Sequence, residues 1–171
     1  MLEIFFLLGF SLHNLEEAIW LPAWSKHASE FHPEVKKNEF HFAVILVTAI
    51  SYLLTLFHLL SDNGSVIVQN IYYGFILMMC LNVIFPHLIA TIVLKRYAPG
   101  LVTGLLLNLP FGILLIQQGL SQGAAPLYLI ASALLLTIIM LALISLLFKI
   151  GGKIIEPLLW IRFFRVGNRS D

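Results

Sequence analysis

Pro126-Leu127-Tyr128-Leu129-Ile130-Ala131-Ser132-Ala133-Leu134-Leu135-Leu136-Thr137-Ile138-Ile139-Met140-Leu141-Ala142-Leu143-Ile144-Ser145-Leu146-Leu147-Phe148 is an unbroken apolar run without a charged side chain. At about 1.5 Å per residue it is long enough to cross the roughly 30 Å hydrocarbon layer as one helix. Four more runs of this kind precede it, at residues 2–21, 41–60, 66–94 and 101–120. Pro22 is expected to stop the first, and the turn signal Ser61-Asp62-Asn63-Gly64 the second. The third is long for one span and is expected to tilt or kink. Lipid cannot satisfy exposed backbone groups, so the runs must be helices.

Composition agrees. Of 171 residues, 60% are apolar and 11% charged, with mean hydropathy +0.95. A soluble domain carries about a quarter charged residues. At roughly 20 residues per span, about 100 residues would lie in lipid. The expected fold is all-α: an integral membrane bundle of five transmembrane helices over residues 1–150, with a basic interfacial tail over 151–171. The tail mixes Lys153, Arg162, Arg165 and Arg169 with Leu158, Trp160, Phe163 and Phe164, a pattern suited to an amphipathic helix on a membrane surface. Residues 23–40 read as an interfacial loop or short helix. The first run lacks a basic leader and a cleavage site, so it reads as a retained helix. One cysteine, Cys80, excludes a disulfide framework. A net charge of +1 gives no ground for a nucleic-acid partner.

All ten lysines and arginines fall in three segments: Lys26, Lys36 and Lys37; Lys95 and Arg96; and Lys149, Lys153, Arg162, Arg165 and Arg169. With five spans these share one face. The positive-inside rule then predicts an outside N-terminus and a cytoplasmic C-terminus, with a bacterial inner (plasma) membrane as the expected setting.

His13, Glu16 and Glu17 lie inside the first run, at spacings that share a helix face, with Trp20 expected on the same side. Such groups are costly against lipid and should face the bundle interior. His13, His87 and Asn108 each lie eight residues from the basic end of their runs, about 12 Å deep. His41 is expected at the mouth of this region. Asn82 and His87 would point about 140° apart on a straight helix, but Pro86 frees the Asn82 carbonyl and a kink there would bring them together. Pro110 likewise frees the Leu106 carbonyl beside Asn108. Gly100, Gly104, Asn108 and Gly112 recur every four residues, a stripe that permits close helix approach. His41, Thr48, Tyr52 and Thr55 form a polar stripe in the second run. Glu3 is expected to snorkel to the outer interface, His58 to pair with Asp62, and His27 and His32 to be solvated.

Two imidazoles and a carboxylate suit zinc, iron or manganese. The expected metal set is His13, Glu17 and His87. Glu16 and Glu17 are the candidate acid–base residues, and Asn82, Asn108 and His41 the supporting ones.

At these residues the chain resembles the HXXEE-domain family of polytopic membrane proteins. His13-Asn14-Leu15-Glu16-Glu17 matches the motif that names it. Asn82 with His87, and Tyr97-Ala98-Pro99-Gly100-Leu101-Val102-Thr103, look like the family's later blocks. The resemblance covers roughly residues 9–110 and assigns no reaction.

The leading expectation is a membrane-embedded, metal-dependent enzyme. It would be a zinc hydrolase in preference to an iron oxygenase, acting on a lipid or other apolar substrate. A proton-coupled transporter using the same cluster is the second expectation, disfavoured because the outer half offers only Tyr52, Thr55 and His58 as polar groups. A non-catalytic assembly subunit, with homo-oligomerisation through the glycine stripe, is the third.

Overall fold

The computed structural model describes residues 1–28, 34–61 and 65–167, with side chains through Lys153. The described residues are helical, without strands. The helices are α1 (Leu2–Ser25), α2 (Lys37–Leu60), α3 (Val66–Leu94), α4 (Leu101–Ser121) and α5 (Pro126–Gly167). All five are long and apolar enough to cross a membrane. Their main packing partners run in the order α1, α2, α5, α3, α4 and back to α1, a closed ring.

Local chemistry sets the helix ends. Ser65 caps α3, its hydroxyl accepting the Val68 N–H at 3.4 Å. Gly123, at φ +96°, ends α4 in a Schellman motif. Its N–H donates to the Leu120 carbonyl, and that of Ala124 to the Gly119 carbonyl. Lys95 at φ +48° ends α3.

Two helices are broken where proline and the polar residues meet. Val83–Leu88 is π-helical, with Phe85 extended at φ −126°, ψ 117°, and the Phe85–Pro86 peptide is cis. Gly104–Asn108, just before Pro110, is also π-helical. Each irregular segment turns one side to protein, with Val83 and His87 buried in the first and Gly104 and Asn108 in the second.

Small residues let α4 lie against its neighbours. A Cβ on Gly104 would sit 2.9 Å from Val83, Gly112 abuts Cys80, and Gly119 abuts the Tyr73 ring. Asn108 is thereby wholly buried. An aromatic core of Phe6, Phe10, Phe75, Ile76 and Leu115 fills the middle of the bundle. The polar stripe of α2 joins it to α1: Asn14 donates to Thr48 at 2.7 Å, and Ser11 and Tyr52 pair at 3.0 Å.

Four expectations change. Pro22 does not stop α1, which continues to Ser25. Proline leaves the Ala18 carbonyl without a helical donor, and His41 Nε2, at 2.8 Å, donates to it instead. Glu3 turns inward and is 7% exposed, because the Met1 amino group and Gln118 receive its carboxylate. Trp20 is 59% exposed and faces the surroundings, uncovered by any of the described residues. The backbone of α5 stays helical through Gly151 and Gly152 to Gly167, and the expected amphipathic side chains of the tail lie outside the described ones. His32 and Asp62, the expected partner of His58, fall outside the described residues.

Candidate metal centre

The Pro86 kink brings Asn82 Nδ2 to 3.1 Å from His87 Nε2. The His87 ring then meets His13 across the α1–α3 interface, centroids 4.9 Å apart and rings perpendicular. His13 is 1% and His87 3% exposed. Glu17, one turn beyond His13, places Oε1 3.2 Å from His87 Nε2 and 3.8 Å from His13 Nε2. One potential ligand atom each from His13, Glu17 and His87 lies within 4.8 Å of the other two.

Hydrogen bonding fixes one tautomer. His13 Nδ1 is 2.9 Å from the Gly100 carbonyl, which can only accept, so Nδ1 carries the proton. His13 Nε2 is buried without a hydrogen-bond partner; 3.8 Å to Glu17 is too long for one. His87 Nε2 lies between Asn82 Nδ2 at 3.1 Å and Glu17 Oε1 at 3.2 Å. Two imidazole nitrogens and a carboxylate oxygen thus converge, the donor types that suit a divalent metal.

Glu16 has different surroundings. Its Oε1 accepts the Gly100 N–H at 2.7 Å and the Tyr97 hydroxyl, and its Oε2 accepts the Thr103 N–H at 3.2 Å and hydroxyl at 2.7 Å. These are the orphan donors at the start of α4, so Glu16 caps that helix from α1 and its charge complements the helix dipole. Partial burial and the hydrogen bond to Glu16 push the Tyr97 hydroxyl up to about 12, keeping it a donor.

Gly100 links the two glutamates' roles. At φ +94° it adopts a conformation that favours glycine. A Cβ there would lie 2.8 Å from both His13 Cε1 and His87 Cε1. Thr91 ties the same loop down: its hydroxyl donates to the His87 carbonyl and accepts the Ala98 N–H.

A family model described as a protein of unknown function with HXXEE motif matches residues 4–115. The chain belongs to the HXXEE family. It is 52% identical over 151 residues to the uncharacterized protein YrkK of Bacillus subtilis (strain 168), an alignment covering 88% of this chain and 95% of YrkK. No solved structure matches the chain.

In this HXXEE protein, the motif's histidine and second glutamate meet His87, while its first glutamate caps α4. Of the expected supporting residues, Asn82 joins the cluster. His41 contacts the Ala18 carbonyl rather than the three converging side chains. Asn108 lies deeper, beside Gly9, one turn along α1 from His13. Sequence reasoning assigned no site role to Tyr97, Gly100 or Thr103. Their signal was a short inter-helix loop whose glycine precedes a helix start at the depth of the two histidines.

Proposed function

We propose that His13, Glu17 and His87 hold a divalent transition metal, and that the protein is a membrane-embedded metal-dependent enzyme acting on a lipid or other apolar substrate. The observation that supports this is the convergence of two imidazole nitrogens and one carboxylate oxygen in a largely buried site. Three protein ligands with a fourth position open is the pattern of catalytic rather than structural zinc; two histidines and a carboxylate also suit iron or manganese. Zinc hydrolysis is the favoured chemistry. Held by His13, Glu17 and His87, zinc would supply Lewis-acid activation of a carbonyl and of water.

The residues divide the remaining work. His13 and His87 supply neutral nitrogens, one held by the Gly100 carbonyl. Glu17 supplies the anionic ligand. Asn82, beside the His87 nitrogen, is placed to orient a substrate carbonyl. Glu16 is a positioning residue, since its hydrogen bonds set the Gly100 loop. Leu15, Ile84 and Phe85, each within two residues of a site residue, are exposed and offer an apolar approach. By the positive-inside rule the site lies toward the cytoplasmic leaflet.

Protein purified in mild detergent should carry one transition metal per chain, lost in His13→Ala and His87→Ala. Folded protein that neither carries nor takes up zinc, iron or manganese would overturn the assignment.

A second reading, proton-coupled transport through the same cluster, is favoured by one observation. The opposite end of the bundle holds polar groups the sequence did not reveal, among them the buried Glu3. The aromatic core stands between the two ends, and Asn108 alone offers a buried amide there. Proton-driven flux in vesicles, abolished by Glu17→Gln, would favour this reading over the enzyme.

A further inference from the structure

The end of the bundle opposite the His/Glu site contains a cavity of about 160 Å³. Residues from all of α1 to α4 reach it. Its lining includes the Glu3 carboxylate, His58, Tyr73, Gln69, Gln118 and Gln122. Glu3 is the one acidic group among the described lining residues. No lysine or arginine is among the described lining residues. The cation beside this carboxylate is the Met1 amino group, 2.8 Å from Oε2.

Its size and walls select among cations. A bare metal ion needs oxygen ligands at about 2.0–2.6 Å on every side, which a cavity this large does not provide. Two aromatic rings stand at the wall instead. His58 is stacked on Tyr72, centroids 3.9 Å apart, and lies 5.5 Å from the Tyr73 ring. Aromatic faces beside a carboxylate are the recognition chemistry of organic ammonium groups. The carboxylate already receives one nitrogen cation. The Met1 amino group lies 2.8 Å from Oε2, whereas Oε1 has Gln118 Nε2 at 3.5 Å, the outer limit of a hydrogen bond. Tyr73 donates to Gln122 Oε1 at 3.1 Å, which orients its ring edge-on to His58.

We propose that this cavity binds a small organic ammonium group, with Glu3 as counter-ion and Tyr73 and His58 as aromatic walls. The group is either a free amine or the amine of a lipid headgroup. The site is independent of the metal centre.

Calorimetric titration of the full chain in a maltoside detergent tests this. The pairs compared are choline with its neutral isostere 3,3-dimethylbutan-1-ol, and ethanolamine with 1-propanol. The expected result is saturable binding of at least one ammonium, preferred roughly tenfold or more over its isostere, and weakened about as much by Glu3→Gln. Glu17→Gln should leave it unchanged. Suppression of ethanolamine binding in phosphatidylethanolamine nanodiscs, but not in phosphatidylglycerol ones, assigns the lipid as source; equal binding in both assigns the free amine. If Glu3→Gln does not fold, Gln69→Trp fills the cavity with a bulkier side chain, leaves the carboxylate in place and should abolish binding. Equal affinity for ammonium and isostere, no saturable binding, or equal competition by sodium or calcium would overturn the proposal.

Discussion

Glu16 and Gly100 are joined at 2.7 Å, carboxylate to backbone N–H, and the carbonyl of the same glycine receives His13 Nδ1 at 2.9 Å. One peptide segment thus carries the effect of a capping carboxylate to an imidazole on the same helix as that carboxylate. The two adjacent glutamates should therefore separate experimentally. Glu16→Gln should lower stability by about 1–3 kcal/mol, the range for losing charged hydrogen bonds at a helix start. Glu17→Gln should remove bound metal with little change in Tm. Thermal unfolding and metal content, measured on both variants, check this; loss of metal without loss of Tm in Glu16→Gln would reverse the roles.

Gly100→Ala and Gly123→Ala form a matched pair. Both glycines have positive φ, so both substitutions carry backbone strain of about 1–3 kcal/mol. At Gly123 no atom lies within 4 Å of the added carbon, whereas at Gly100 it meets both imidazoles. Gly100→Ala should lose metal as well as stability, and Gly123→Ala stability alone.

Asn82→Ala should leave the fold intact and weaken metal affinity by roughly tenfold, the lower end for groups that orient a ligand. A competition assay with a coloured zinc chelator reads this directly. Unchanged affinity would mean that the 3.1 Å contact with His87 does not hold the ring.

Pro22 and His41 should be energetically coupled. His41→Ala leaves the Ala18 carbonyl without a donor and should cost about 1–3 kcal/mol. In a Pro22→Ala background the helix supplies its own donor, so the same change should cost less. A double-mutant cycle on unfolding free energy should give a coupling of about 0.5–2 kcal/mol; strict additivity would deny the link.

Asn108 is 0% exposed, and neither its side-chain nitrogen nor its oxygen has a hydrogen-bond partner. Replacing such a group by an apolar one of similar shape is neutral or stabilising. Asn108→Leu should hold or raise Tm while leaving metal content unchanged. A fall of more than a few degrees would show that the amide has a partner in the membrane.

Much of this was legible in the sequence because lipid imposes simple rules. The five spans followed from run length, and the helix termini moved by only a few residues except at α5. The shared depth of His13 and His87 anticipated their contact, and Pro86 anticipated the turn that brings Asn82 to His87. The glycine stripe foretold the burial of Asn108. What escaped were features set by a neighbour rather than by the segment itself. Glu16 and Glu17 are chemically identical, and only the start of α4 lying against α1 makes one a cap. Pro22 reads as a stop until His41 is seen to take the freed carbonyl. Glu3 sits near a helix end, where snorkelling is the default, and turns inward only because Gln118 and the Met1 amino group meet it.

The closed ring of helices has a consequence for biogenesis. His13 and Gly100 are 87 residues apart in the chain. At about 5–20 residues per second, synthesis takes roughly 4–17 s to travel from one to the other. Throughout that interval the first helix must enter the bilayer, or wait beside the insertion machinery, with its imidazole and two carboxylates lacking the groups that will later surround them.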